Sequence, residues 1–124
     1  MSVEVEVRVE GIEEFEKKMN NVNVYMQRNV RRKLQDLGSE IHATARRLCP
    51  VKTGRLRDSI YTKLEDWRLK IGASMPYAAF IEFGTRYIRP FYFLTEAVNL
   101  HLPRLHAIIH EGIEWAIREA SWKG

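Results

Sequence analysis

The chain has 124 residues, 45% hydrophobic and 29% charged, with a formal net charge of +4. This length predicts one domain over residues 1–124, large enough to bury about two-thirds of its unfolded surface, and the composition excludes a disordered tract. No apolar run approaches the roughly 20 residues of a membrane helix, so no membrane partner is expected.

The first residues, Met1-Ser2-Val3-Glu4-Val5-Glu6, are acidic and alternating, unlike the basic and then apolar start of an export signal. Val3, Val5, Val7 and Val9 alternate with Glu4, Glu6, Arg8 and Glu10, the period of a half-buried strand that ends at Gly11. Ile12, Phe15 and Met19 then predict a short helix over 12–20, and one of Asn20, Asn21 and Asn23 is expected to cap the next. Met26, Val30, Leu34, Leu37, Ile41, Ala45 and Leu48 form a single apolar stripe, which predicts a helix over 24–48. Gly38 weakens it locally and Pro50 stops it.

After a turn at Thr53-Gly54, Ser59 to Leu64 and Trp67 to Ala73 alternate as two strands of a hairpin turning at Glu65-Asp66. Pro76 to Phe83 predicts a short helix ended by Gly84, and Tyr87-Ile88-Arg89 a short strand. Pro90 is expected to open the last helix, with a kink or break near Leu100 ahead of Pro103. The predicted class is α+β: a small, mostly antiparallel sheet of the N-terminal strand and the hairpin, packed against two long helices.

Charge is unevenly spread. Residues 1–20 carry six acids against three bases, and residues 28–57 nine bases against two acids. Arg28, Arg31, Arg32, Arg46 and Arg47 are candidate DNA-facing residues, by phosphate contact, or else a solvated helix face. An acidic N-terminal edge and a basic helix could also meet head to tail between identical subunits.

Catalytic sets are missing from the pattern. His106 and His110 share a helix face, but His-Glu-x-x-His is absent, and solvation is the plainer reading. Cys49 rules out an internal disulfide framework, fits a reducing cytoplasm, and sits on the apolar stripe as a buried thiol. Ser59 lacks elbow glycines, Thr53-Gly54 lacks the phosphate-loop spacing, and Glu82 has no acid–base partner in sequence. The chain is therefore expected to be no enzyme and to need no metal or cofactor. Trp67 and Trp115 are read as core, whereas Phe80, Phe83 and Tyr87, clustered about Gly84, are read equally as core or interface.

Two blocks stand out: Cys49-Pro50-Val51-Lys52-Thr53-Gly54-Arg55-Leu56-Arg57-Asp58-Ser59-Ile60, and Pro76-Tyr77-Ala78-Ala79-Phe80-Ile81-Glu82-Phe83-Gly84-Thr85. They resemble the Pro-Val-x-Thr-Gly-x-Leu and Tyr-Ala-x-x-x-Glu-Phe-Gly-Thr blocks of a tailed-bacteriophage family of neck, or minor tail, components. Arg89-Pro90-Phe91 resembles its third block. The chain departs from that pattern after the third block, where Leu94-Thr95-Glu96-Ala97 lacks the proline, and in the length of its last helix.

The resemblance implies a virion protein of the neck or tail, assembled in the host cytoplasm. It implies a ring of identical subunits, six by expectation, at the head–tail junction around the DNA channel. Its partners would be copies of itself, a connector or head-closure protein, and a tail terminator or tail tube protein, with packaged DNA nearby. The contact elements expected on this basis are Thr53, Gly54, Arg55, Leu56 and Arg57 on one side, and Tyr77, Glu82, Phe83, Gly84, Thr85 and Arg89 on the other. Glu82 is expected to pair with an arginine across the interface. The competing expectation is a small nonspecific nucleic-acid-binding protein using the basic 28–57 segment.

Overall fold

The computed structural model describes residues 2–52 and 54–123, with side chains at all of these except 122 and 123. In chain order the elements are β1 (Val3–Glu6), α1 (Ile12–Met19), α2 (Val24–Leu48), α3 (Arg55–Asp58), β2 (Ile60–Glu65), β3 (Arg68–Ala73), α4 (Ala78–Phe83) and α5 (Phe93–Lys123). The predicted α+β class holds.

The sheet has the order β1-β3-β2, with both pairs antiparallel. Val3 and Val5 lie opposite Ala73 and Ile71, and Ile60, Thr62 and Leu64 opposite Ala73, Ile71 and Leu69. Period two then puts this set on one face. Across it lies α2, burying Val30, Leu34, Leu37, Ile41 and Ala45. The Asn23 side chain caps α2 by accepting from the Met26 N–H at 3.0 Å. Gly38 gives α2 a notch, because a Cβ there would stand 3.0 Å from Leu69 Cδ1.

α5 runs antiparallel along α2. Thr44 Oγ1 lies 2.8 Å from His101 Nε2, Lys33 pairs with Glu111 at 2.7 Å, and the Asn23 N–H reaches Glu119 at 3.1 Å. Low α2 numbers thus meet high α5 numbers, and Cys49 at the end of α2 lies near the start of α5. α1 closes the far end, where Phe15 meets Trp67 edge-on with centroids 5.9 Å apart. Such a buried aromatic pair contributes about 1 kcal/mol beyond its area.

The other sheet face carries charge in place of a cover. Glu4 accepts from Tyr61 at 2.8 Å and pairs with Lys63 at 3.0 Å. Glu65 pairs with Lys70 at 2.8 Å, and Arg68 spans Glu16 and Glu6 at 2.5 and 3.3 Å. Hydrogen bonds from Lys63 and Tyr61 hold the Glu4 carboxyl below its usual range, that from Arg8 at 2.6 Å does so for Glu6, and those from Lys70 and Lys63 for Glu65.

Several expectations need correction. The described residues 87–89 form no strand; they bend within a loop. The last helix starts at Phe93 instead of Pro90, because Tyr92 takes a left-handed φ of 49° and sets a new direction. Nor does it break near Leu100: α5 continues through Pro103. Buried residues on both sides of that proline, Phe93, Leu94, Ala97 and Val98, then Leu105, Ile108 and Ile109, hold the two halves to shared neighbours. The hairpin turn falls one residue later than expected, with Asp66 at φ 54°, and the one-turn helix α3 follows Gly54.

Candidate functional site

The three sequence blocks converge at one end of the molecule. Pro50, Val51, Lys52, Gly54 and Leu56 from the first, Tyr77 and Ile81 from the second, and Phe91 from the third line one groove of about 340 Å³. This end is apolar where solvent reaches it. Val51, Tyr77, Phe80, Phe83, Ile88, Phe91 and Tyr92 are exposed, and Tyr87 is 88% exposed. Arg86 and Arg89 lie among them, and the Arg86 guanidinium sits 5.9 Å from the Tyr87 ring. Exposed aromatics clustered with arginine have the composition of interface centres.

The loop from Gly84 to Tyr92 is held by its own backbone. Gly84 has φ 78° and lies under Pro90; a Cβ there would stand 2.7 Å from the Ile88 carbonyl oxygen. The Thr85 N–H donates to Ile88 O at 2.9 Å, and the Thr85 hydroxyl accepts from the Tyr87 and Ile88 N–H groups, each at 3.1 Å. Phe91 N–H and Tyr92 N–H then donate to Ile81 O and Glu82 O at 3.0 and 3.1 Å. The loop closes on α4 while its side chains stay in water.

Glu82 corrects an expectation. It is not a surface partner for a neighbour's arginine, for it is fully buried. Its carboxylate accepts from Leu94 N–H at 2.9 Å and from Thr95 N–H at 3.3 Å, with the Thr95 hydroxyl at 3.4 Å. These are N–H groups of the first turn of α5, which a helix leaves without internal acceptors. A carboxylate there also meets the positive end of the helix dipole, typically about 0.3–1 kcal/mol and up to ~2 when partly buried. Burial pushes its pKa up, and the bonds from Leu94 and Thr95 oppose that rise.

The other expected contact residues divide. Tyr77, Phe83 and Arg89 are exposed at this end. The Thr85 side chain serves the loop internally, and Gly84 shapes it. Leu56 is buried, with its side chain forming part of the groove lining. Arg55 and Arg57 lie on α3, with Arg57 Nε 3.6 Å from Asp58, and Gly54 is buried at the start of that helix. Thr53 lies outside the described residues. The groove also includes Pro50, Val51, Lys52, Ile81 and Phe91, which lie within the three blocks but outside the expected contact set. For Val51 and Phe91, an apolar place beside a block's proline was the available signal.

The expected DNA-facing arginines are only partly available. Arg31 stacks 4.3 Å from the Trp67 ring centroid and donates to Asp66 O at 3.0 Å. Arg46 donates to Arg57 O and Asp58, at 3.3 and 3.4 Å. Arg28, Arg32 and Arg47 remain exposed along α2 with Asp36 among them. Of the six acids of the N-terminal edge, Glu4, Glu6 and Glu16 are engaged within the chain by Lys63 and Arg68.

No group of three metal-ligating side chains occurs among the described residues. His110 is exposed and pairs with Glu114 at 3.0 Å. Cys49 is buried, and desolvation raises its thiol pKa against the pull of Arg57 and Arg46. Trp115, expected in the core, is exposed at the opposite end, stacked with Arg118 at 5.8 Å. There it borders an open cleft of about 370 Å³ with Tyr25 and Met26.

The fold is thus a small α+β domain with exposed apolar and cationic side chains gathered at one end. Residues 13–84, more than half of the chain, match the family described as "Bacteriophage HK97-gp10, putative tail-component", and the chain belongs to that family of phage structural proteins. The match takes in the first block and the second as far as Gly84, and stops before the third. Neither the curated proteins nor the solved structures yield a match.

Proposed function

We propose that this chain is a ring-forming subunit of the phage neck, with six copies completing the head–tail junction around the DNA channel. The observation that carries the reading is the convergence of the three blocks on one groove beside a hydrogen-bonded loop of exposed aromatics. A closed ring needs two different faces on each subunit. The block end supplies one, and the surface around Tyr25, Trp115 and Ile117 at the other end of the α2–α5 pair supplies the second. Copies of itself, a connector or head-closure protein, and a tail terminator or tube protein are the partners on this reading. Arg28, Arg32 and Arg47 are the cations left to face passing DNA.

Native mass spectrometry of the chain, alone and with connector and tail components, tests this. Tyr87→Ser and Phe91→Ser should keep the fold and weaken assembly by about 2 kcal/mol or more each, roughly 30-fold, as interface anchors do. Wild-type oligomer mass and particle yield from both variants would overturn the reading. The nucleic-acid alternative predicts instead binding to duplex DNA that falls steeply with salt and no discrete oligomer without DNA.

A further inference from the structure

We infer that Glu82 is a positioning residue: by fastening the end of α4 to the start of α5 it sets loop 84–92 in its docking shape before any partner arrives. The inference rests on the assembly reading above and assigns Glu82 a part in it other than contact.

Side-chain packing holds this loop only in part, since Tyr87 is 88% exposed and Ile88, Phe91 and Tyr92 are about half exposed. Tyr92 also occupies a left-handed conformation, with φ 49°. An aromatic L-residue reaches that region only when its surroundings impose it, and such outliers gather where a chain is held for a purpose. The surroundings here are bonds on both sides of Tyr92. Its N–H donates to Glu82 O at 3.1 Å, and its carbonyl accepts from Glu96 N–H at 2.8 Å. Two residues on, Leu94 N–H donates to the Glu82 carboxylate at 2.9 Å.

One residue therefore grips the junction twice, through its backbone oxygen and its side chain. Being wholly buried, the side chain cannot itself touch a partner. A loop fixed beforehand loses less freedom on docking, so the clamp raises affinity without adding a contact.

Amide hydrogen exchange on the isolated chain tests the idea at Thr85, Tyr87, Ile88, Phe91 and Tyr92, all of which donate to acceptors within the loop or α4. Glu82→Ala should speed their exchange at least ~10-fold while core amides of α2 stay unchanged. Assembly should weaken by a similar factor. Glu82→Gln keeps an acceptor oxygen for Leu94 and should restore both. Thr95→Val, which deletes only one donor, should fall between and covers the case in which Glu82→Ala fails to fold.

The inference is overturned if wild-type loop amides already exchange as in a free peptide. It is equally overturned if Glu82→Ala, or Thr95→Val where the former does not fold, leaves exchange and assembly at wild-type values. Failure of the wild-type chain to form oligomers would refute the ring alone, and the exchange data would still decide the clamp.

Discussion

Gly72→Ala tests two close approaches in the centre of the sheet. Gly72 sits in β3 between β1 and β2, opposite Glu4 on one side and Tyr61 on the other. A Cβ there would lie 2.6 Å from the Val3 carbonyl oxygen and 2.6 Å from the Tyr61 hydroxyl. The tyrosine can swing away, giving up its 2.8 Å bond to Glu4. The Val3 oxygen belongs to a strand backbone and moves only if β1 shifts off β3. Alanine regains about 0.5–1 kcal/mol of chain entropy relative to glycine in a strand. Overpacking costs about 1–3 kcal/mol, and the lost hydrogen bond about 0.5–1.5. The net expectation is destabilisation of about 2 kcal/mol, roughly 5–10 °C in Tm for a chain of this size. Urea titration followed by circular dichroism measures it. In a Tyr61→Ala background one of the two clashes is gone, so the glycine substitution should cost less there. A Gly72→Ala single variant as stable as wild type would refute the reasoning.

Arg31→Met should destabilise the fold by about 1–2 kcal/mol through loss of the Trp67 stack and the bond to Asp66, while duplex-DNA binding stays unchanged. The carboxylates predict opposed pH effects. Glu4, Glu6 and Glu65 have lowered folded pKa values, so their contribution is present above the ordinary carboxyl value of 4.5 and is lost as pH falls through the lowered values. Glu82 has a raised one, so the proton-linked part of its contribution is full below 4.5 and is lost as pH rises through the raised value. Urea midpoints across acid pH should therefore change with Lys63→Met in one sense and with Glu82→Gln in the other. The buried Cys49 thiol should react with iodoacetamide far more slowly in the native protein than in urea; equal rates would contradict its placement.

Periodicity made most of the scaffold legible. The valine–glutamate alternation of β1 and the seven-residue stripe of α2 each span enough residues for one period to win. α3 escaped notice because four residues are too few to show a period. The start of α5 was misplaced because Pro90 satisfies the local rule for a first helical turn, whereas the turn is set by bonds from Tyr92 and Leu94 back to Glu82. That same long-range pairing hid the role of Glu82, which looks like a surface carboxylate beside Phe83 and Gly84. Segment charge counts suggested an acidic edge free to meet a neighbour. Cross-strand lysine and arginine cancel part of it, and sequence separation conceals those pairings. The blocks marked the right end of the molecule, yet which of their residues face outward depended on the fold.

α2 spans 25 residues, or about 37 Å at 1.5 Å per residue, with the block groove at one end and the Tyr25–Trp115 surface at the other. It acts as a fixed spacer. On the proposed ring reading, a one-residue insertion would rotate everything beyond it by about 100°, turning the groove away from the Tyr25–Trp115 surface of the neighbouring copy. On that reading, only steps of about seven or eleven residues, whole turns, would restore the facing, and each would change the spacing of the two surfaces by roughly 10 Å or more.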